Sequence, residues 1–300
     1  MSSLNHLVTV IITTYKRPDL LRRSISSVLN QTYSNLQIVV VNDDPESSYS
    51  NTDFSVWDDS RLQFINHSVN KGVSFARNTG LNHSIGDFIC FLDDDDIWLA
   101  DKVEKQLRIL AKTPLYIGFT YCWSYVLDAS NNVTSHISPN ISGNIFDLML
   151  LRQCIPNIST IMIKSYVLNE VSGFEVSLMR GNDSDFLRKL SFFYHVIPTQ
   201  EFLVYYSDSP LYQRITNFSR GGLTKSLASL EYRKDRFKHE LSFRPYTRNF
   251  LDVQLMSIYF HSNQYIKGFK IFTFAVLFYA GLQLRLFYRL IIGCTSFPHD

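Results

Sequence analysis

Paired cysteines are missing from this sequence of 300 residues. Its four cysteines lie far apart and form no CxxC pair: Cys90, Cys122, Cys154 and Cys294. Such spacing excludes the disulfide framework of a small secreted domain and favours a reducing cytosol. The N-terminal residues also lack the basic region and the cleavable apolar segment of a signal peptide. We therefore expect a cytoplasmic protein.

Long apolar runs and a strong overall charge are absent as well. The C-terminal region is apolar nearly all round a helix, but its longest uncharged run, 271–284, is shorter than the roughly 20 residues of a spanning helix. The formal net charge of +2 does not indicate any class of binding partner. The sequence has no GxxxxGK[ST] loop and no GxSxG motif, and its eight histidines show no metal-ligand spacing. P-loop kinases are therefore excluded, and no serine hydrolase is indicated.

Short runs of β-branched residues are abundant in the first hundred residues. Residues 8–13 (VTVIIT) and 38–41 (IVVV) are typical of strands buried on both faces of a parallel sheet, with helical spacing of apolar residues between them. The pattern predicts further strands over 62–65 and 88–92 and a helix over 73–84. The first hundred residues therefore read as a doubly wound α/β unit. A strand over 159–163 and helices near 166–171 and 186–190 predict a second, mixed half.

Polar residues follow each of the four predicted strands. They are the segments Thr13 to Tyr15, Asn42 to Asp44, Asn70 to Lys71, and Asp93 to Asp96. Ligands of open parallel sheets bind at the carboxyl ends of the strands, so these side chains predict one crevice.

Four motifs together carry a family resemblance. In order they are VIITTYKRPDLLRRSISSVLNQTY with IVVVNDDP, NKGVSFARNTGL, GDFICFLDDDDIWLADK, and GFEVSLMRGNDSDF. This set, over about residues 7 to 215, resembles the family 2 inverting glycosyltransferases of the bacterial polysaccharide type. The resemblance implies the GT-A fold, an α/β fold with a mostly parallel central sheet flanked by helices. It implies a nucleotide-binding half (1–100), an acceptor-binding half (101–215) and a helical C-terminal extension (216–300).

The resemblance implies a function for the acidic run FLDDDDIW. A nucleoside diphosphate leaves with growing negative charge, which a hard cation with oxygen ligands can neutralise. The family pattern implies Asp95 as the direct ligand of Mn²⁺ or Mg²⁺, with Asp93 near the ribose or a metal-bound water. Asp94 and Asp96 would point away or hold the loop. The alternative is a turn that N-caps the helix beginning near Asp101, which explains one or two aspartates better than four.

The resemblance also implies a nucleotide site. Its members would be Thr13, Tyr15, Asp43, Lys71, Arg77, Asp93 and Asp94. Thr13 and Tyr15 would border the uracil ring, and Asp43 would accept a hydrogen bond from its imide. Asn42 to Pro45 also fits a plain turn after a strand. Lys71 and Arg77 would bind the nucleotide or its diphosphate. The equal alternatives are a solvated loop residue for Lys71 and a surface position on a helix for Arg77.

An inverting transfer needs a base that takes the proton of the acceptor hydroxyl. The family pattern, Gly-Glu-Asp-x-Asp, matches Gly181 to Asp185 here and implies Asp183 as the base, with Asn182 in the place of the glutamate. The alternative is that Asp183 is an ordinary N-cap with Asp185 in the first helical turn.

The C-terminal region combines positive charge with apolar surface. Residues 214–249 hold nine Lys and Arg against three acids, a local charge of +6. Together with the apolar end, which includes Lys267, Lys270, Arg285 and Arg289, this stretch could dock on the inner face of an anionic membrane. Packing against the catalytic domain or a second subunit is the equal alternative. No nucleic-acid module is present.

The expected function is transfer of a sugar from a UDP-sugar to a saccharide acceptor. For the bacterial members the acceptor is expected on a lipid diphosphate such as undecaprenyl diphosphate, in O-antigen or capsule synthesis. A sugar nucleotidyltransferase is a weaker alternative, because KRPDLL lacks the glycines of a triphosphate loop. A non-catalytic relative should have lost a metal or base aspartate, and neither is lost.

Overall fold

A computed structural model of the protein describes residues 5–49, 59–208, 220–262 and 264–279. The chain divides into two compact units, Met1–Ile215 and Thr216–Asp300. Each unit is considered by itself.

One mixed sheet forms the centre of the first unit. Its strands are β1 (Val8–Thr14), β2 (Leu36–Asn42), β3 (Leu62–Asn66), β4 (Phe88–Asp93), β5 (Ile97–Trp98), β6 (Ile117–Leu127), β7 (Val133–Ile137), β8 (Ile161–Lys164) and β9 (His195–Ser207). The strand order is β3-β2-β1-β4-β8-β6-β9-β5, and β7 pairs with β6. Strands β3, β2, β1 and β4 are parallel, whereas β8 runs against both β4 and β6. Strands β6 and β9 run in the same direction as β4.

Helices cover both faces of this sheet. They are α1 (Pro18–Leu29), α2 (Val73–Asn82), α3 (Lys102–Leu110), α4 (Phe146–Leu151) and α5 (Asn182–Phe193), with 3₁₀ turns at Ile158–Thr160 and Ser165–Asn169. Alternate residues of β1 enter different core clusters, because successive side chains of a strand point to opposite faces. Val10 and Ile12 pack in the cluster of α1 and α3, whereas Ile11 packs in the cluster of α5. The continuous β-branched run thus reflects burial on both faces.

The α/β fold and the mixed second half that the sequence predicts are confirmed, and three local expectations were wrong. The predicted strand 159–163 begins only at Ile161, because Ser159 and Thr160 belong to a 3₁₀ turn. The segment 166–171 contains a 3₁₀ turn instead of an α-helix. The alternative in which the acidic run N-caps the helix beginning near Asp101 was also wrong, because Asp101 itself holds the N-cap position of α3 and its side chain makes no capping hydrogen bond.

The second unit is helical over its described residues. Its helices are α6 (Arg220–Arg236), α7 (Lys238–Ser242), α8 (Pro245–His261) and α9 (Tyr265–Tyr279). Lys234 pairs with Asp252, and Tyr259 donates a hydrogen bond to Glu231, so polar contacts join α6 to α8. Among the described residues, none of the helices combines the length and the apolar character needed to cross a bilayer. Arg214, Arg285, Arg289, Cys294 and the end of the apolar run lie outside the described residues.

Candidate active site

The carboxyl ends of β1, β2 and β4 lie side by side. Parallel register places Thr14 opposite Asn42 and Thr13 opposite Asp93. The polar residues that end these strands therefore face one edge of the sheet. Tyr15, just beyond β1, is 42% exposed at the rim of this edge.

The two more exposed aspartates of the acidic run lie beside arginines. The Arg77 guanidinium donates to Asp93 Oδ1 at 2.7 Å, and the Arg17 guanidinium donates to Asp95 Oδ2 at 3.0 Å. Arg17 also lies 2.8 Å from Asp94 Oδ1. The two guanidinium groups supply positive charge to a run of carboxylates whose mutual repulsion would otherwise be costly.

The other two aspartates are buried and hold the loop. Asp94 accepts a hydrogen bond from the Thr14 hydroxyl at 2.7 Å, and Asp96 accepts from the Ser159 hydroxyl at 2.6 Å and the Ser207 amide at 3.1 Å. Burial raises the pKa of Asp94 to about 7 and raises the pKa of Asp96 well above its usual value. Their carboxylates therefore have structural partners that fix the turn between β4 and β5.

A cation could be held at this run. Oxygen atoms of Asp93, Asp95 and Asp96 lie within 4.8 Å of one another. Carboxylate oxygens are the ligands that Mg²⁺ and Mn²⁺ prefer, so the donor set fits a hard divalent cation. The Ser159 and Ser207 bonds restrain Asp96, whereas the Asp93 and Asp95 side chains are 29% and 15% exposed.

Arg77 joins the acidic run to the first turn of α5. Its guanidinium forms ion pairs with both Asp93 and Asp183, and it lies 5.2 Å from the centre of the Phe174 ring. The Arg77 side chain is almost fully buried. Burial raises the pKa of Asp183, while the charge of Arg77 opposes that rise. Three residues from separate motifs, 106 positions apart at most, thus meet at one point.

The turn before α5 positions Asp183. Gly181 precedes the helix with a φ of 76°, which favours glycine. Asn182 accepts a hydrogen bond from the Asp183 amide at 2.8 Å and donates to the Ser74 hydroxyl at 3.0 Å, which ties α5 to α2. The alternative of Asp183 as an N-cap was wrong, since Asp183 is the second residue of the helix and Gly181 holds the cap position. Asp185 is buried and pairs with Lys189.

Asp43 is buried at the end of β2 and organises the next loop. Its carboxylate accepts hydrogen bonds from the backbone amides of Lys71 and Gly72 at 2.9 and 2.7 Å. The His67 ring lies 2.8 Å from the same carboxylate. Gly72 adopts a φ of 85° immediately before α2. Asp43 therefore sets the path by which the chain enters the helix that carries Arg77.

The backbone amide and the side-chain ammonium of Lys71 contact different residues. Its amide bonds to Asp43, whereas its ammonium lies 4.3 Å from the centre of the Phe75 ring. Such a contact holds a cation over an aromatic face at the surface. The structure thus places Lys71 beside Asp43 and Arg77 beside Asp93 and Asp183.

Several residues of this site were not predicted from the sequence. Arg17 follows β1 by three positions, so its place at the strand ends was a usable signal. His67, Ser159 and Ser207 come from distant segments, and no local pattern pointed to them. The Ser159 hydroxyl accepts a hydrogen bond from the Asp93 amide at 3.1 Å and donates one to the Asp96 carboxylate.

The chain is similar to known proteins in sequence and in structure. A family model described as glycosyl transferase family 2 matches residues 9–171. Over 171 residues the chain is 36% identical to an Escherichia coli protein, UDP-Glc:alpha-D-GlcNAc-diphosphoundecaprenol beta-1,3-glucosyltransferase WfgD, covering 56% of this chain and 64% of WfgD. Over 279 residues it is 26% identical to an uncharacterized glycosyltransferase of Rickettsia bellii, covering 93% of this chain and 36% of that protein. The chain therefore spans less than two thirds of either relative.

Solved structures share the fold at low identity. S. aureus TarS in complex with UDP-GlcNAc has a TM-score of 0.58 at 13% identity, over 85% of this chain and 72% of the TarS chain. A mannosyltransferase from Pyrobaculum calidifontis, in complex with GDP-Man and Mn²⁺, has a TM-score of 0.54 at 16% identity, over 97% of this chain and 80% of that chain.

Proposed function

The chain belongs to glycosyl transferase family 2, and from that premise we propose that it transfers a sugar from a UDP-sugar to a hydroxyl of a saccharide acceptor with inversion. The observation that carries the proposal is the shared contact of Arg77 with Asp93 and Asp183. It brings the aspartate proposed for the donor and the aspartate proposed as base to one point, as a single displacement requires.

Donor binding is assigned to the strand ends. Asp43 and Thr13 would meet the uracil, with Tyr15 at the rim, while Lys71, Arg77 and Asp93 would face the rest of the nucleotide. Asp94 would act through Arg17, because its own carboxylate is buried against Thr14. Support for a UDP-sugar comes from the name of WfgD and from the UDP-GlcNAc complex of TarS.

Asp183 is assigned the role of base. Its raised pKa makes it a better proton acceptor than an ordinary aspartate, and the Arg77 charge keeps a share of it ionised. A divalent cation, Mn²⁺ or Mg²⁺, held by Asp95 and Asp93 would neutralise charge on the leaving diphosphate. The P. calidifontis complex with Mn²⁺ supports such a cation in this fold.

The acceptor is proposed to be a saccharide on a lipid diphosphate. WfgD acts, by its name, on α-D-GlcNAc-diphosphoundecaprenol. A related acceptor would give this chain a place in O-antigen or capsule synthesis, on the inner face of the cytoplasmic membrane. The start of α9 suits contact with such a surface, since the exposed Ile266 and Phe269 lie beside Lys267 and Lys270.

The decisive experiment is a panel of nucleotide sugars with Mn²⁺ or Mg²⁺ and a short-chain GlcNAc-diphospholipid, followed by UDP release and product linkage. Asp95→Asn should abolish the metal-dependent part of turnover. Asp183→Asn should lower kcat by about 10²- to 10⁴-fold while UDP still binds. Asp19→Asn, an exposed aspartate of α1, is the matched control.

Wild-type rates in Asp95→Asn and Asp183→Asn would refute the site. Release of pyrophosphate from a nucleoside triphosphate, without sugar transfer, would instead favour the nucleotidyltransferase alternative. A product that retains the donor's anomeric configuration would refute the single displacement.

A further inference from the structure

We infer that an aromatic shelf on strands β6 and β9, formed by Trp123, Tyr125, Phe202 and Tyr205, binds a pyranose ring of the acceptor saccharide. The inference rests on the proposed function, since it assigns the acceptor side of the same site. The shelf uses residues outside the donor motifs.

The shelf is built by strand pairing. Trp123 lies opposite Phe202, and Tyr125 lies opposite Tyr205, so all four side chains share one face of the sheet. The Tyr125 ring stacks on Phe202 at 4.5 Å and on Tyr205 at 5.5 Å, between ring centres. The four side chains are only partly buried, and the exposed His136 of β7 meets the Phe202 ring edge to face.

This face is the one that carries the proposed base. Along β6, Tyr121 precedes Trp123 by two positions and packs in the same cluster as Phe186 of α5. Both Tyr121 and Trp123 donate hydrogen bonds to the Pro139 carbonyl, which confirms their common face. Helix α5 carries Asp183 in its first turn.

The shelf also lies at the correct end of the sheet. Strands β4 and β6 both run against β8, so their carboxyl ends point the same way. Strand β9 continues from the shelf to Ser207, whose hydroxyl donates to the Asp95 carbonyl at 2.6 Å and whose amide donates to Asp96. Ser207, which contacts the proposed metal loop, therefore lies two positions after Tyr205.

The chemistry of the shelf matches a sugar. Aromatic rings carry negative charge on their faces, and a face that the stack leaves uncovered attracts the polarised C–H groups of a pyranose. Within the described part of the chain, the hydroxyls of Tyr125 and Tyr205 make no hydrogen bond, so they are available to sugar hydroxyls. A plain apolar partner would leave both hydroxyls unsatisfied, at a cost to binding.

Asn157 adds an amide beside the turn that packs on β6. It precedes the 3₁₀ turn Ile158–Thr160, which contacts both β4 and β6. Both polar atoms of its side chain are buried, and neither has a hydrogen-bond partner within the described residues. A buried amide without partners is costly unless a ligand satisfies it. Asn157 is therefore assigned a hydrogen bond to the same saccharide.

The test measures saccharide binding directly, with the full chain, UDP and Mn²⁺. Ligand-observed NMR titrations would use the methyl glycosides of glucose, galactose, mannose and GlcNAc. Phe202→Leu and Tyr205→Leu should each weaken the best glycoside by about tenfold. Tyr116→Leu is the matched control, because Tyr116 is an exposed aromatic residue just before the opposite end of β6.

A second set of variants guards against loss of the fold. Tyr125→Phe and Tyr205→Phe keep the rings and should weaken binding by removing hydroxyls. Asn157→Ala should weaken binding without lowering the melting temperature, since a purely structural amide would lower it.

Two results overturn the shelf: no glycoside binds the wild type, or the folded leucine variants bind as well as the wild type. Calorimetry with UDP separates the two proposals. If the wild type binds a glycoside but no UDP, and the variants lose glycoside affinity, the shelf is supported and the donor site is refuted.

Discussion

Arg77 is one buried cation shared by two carboxylates with different proposed tasks. Its planar guanidinium can donate to Asp93 and Asp183 at once, which a lysine ammonium does with less fixed geometry. The arrangement couples the donor side to the base: the charge that orients Asp93 also favours the ionised form of Asp183.

Removal of Arg77 should therefore alter the pH dependence of transfer. In Arg77→Gln the opposing charge is lost, so the pKa of Asp183 rises further and the acid limb of kcat moves to higher pH. For each pKa unit gained, the loss at pH values below the limb grows by about tenfold. Profiles of kcat against pH test this, with Arg61→Gln, a remote arginine paired with Asp59, as the control. An unmoved acid limb would contradict the coupling.

Asp94 should make stability depend on pH. Its folded pKa is about 7, whereas an unfolded aspartate titrates near its ordinary value, roughly 4. Between these values the folded chain holds an extra proton, so this contribution to the free energy of unfolding is full below about pH 4 and is lost as pH rises through about 7.

Urea unfolding at pH 5 and pH 7, without divalent cations, measures that loss. Asp94→Asn should reduce the fall in unfolding free energy between the two pH values, and Asp19→Asn should leave it as in the wild type. Equal falls in the wild type and Asp94→Asn would contradict the assignment.

Single residues differ in how far the sequence alone reveals them. Asp93, Asp95 and Asp183 could be singled out because their motifs resemble the family pattern, and the structure brings Asp93 and Asp183 to one guanidinium. Ser159 could not, because a lone serine has no pattern and its two bonds to the acidic run depend on where β8 enters the sheet.

At the scale of elements, the start of α2 depends on a carboxylate and a glycine. Asp43 accepts the amides of Lys71 and Gly72, and Gly72 holds a positive φ with no atom within 4 Å of an added Cβ. The cost of a side chain there is backbone strain alone.

Gly72→Ala should lower the free energy of unfolding by about 1–3 kcal/mol, because the Gly72 backbone has a φ of 85° and a ψ of 160°, a region that is essentially restricted to glycine. It should also weaken UDP binding, because it shifts the loop that Asp43 orders. Gly143→Ala is the matched control, since Gly143 has a φ of 86° and equally open space. Urea unfolding and calorimetry with UDP should show destabilisation of both variants but a binding loss only in Gly72→Ala.

The strands of the parallel half were predictable because burial on both faces demands β-branched runs, as in β1 and β2. The 3₁₀ turn at Ile158–Thr160 was not, since STIMI reads equally well as one strand. The carbonyls of Ser159 and Thr160 accept hydrogen bonds from the Trp98 and Gln106 side chains, and Ser159 also bonds to the acidic run, so neither residue joins the strand.

At the scale of the whole molecule, the order of strands in the second half could not be predicted from local sequence patterns. Strand β8 inserts between β4 and β6, and β9 pairs with β6 through register shifts. Such long-range pairing follows from the packing of α5 and α3 against opposite faces, which no window of sequence contains.

The second unit should bind anionic membranes through the start of α9. Ile266 and Phe269 are 78% and 58% exposed, and Lys267 and Lys270 flank them, so apolar burial and attraction to anionic headgroups should add. Ile266→Ser with Phe269→Ser should reduce co-sedimentation of the full chain with vesicles containing phosphatidylglycerol. Because each lysine near the surface contributes about 1 kcal/mol, Lys267→Gln with Lys270→Gln should lower the vesicle affinity by about thirtyfold at low salt. Leu115→Ser, an exposed leucine of the first unit, is the control. Unchanged sedimentation of both double variants would show that α9 does not dock on lipid, and would leave packing against protein as the use of its exposed face.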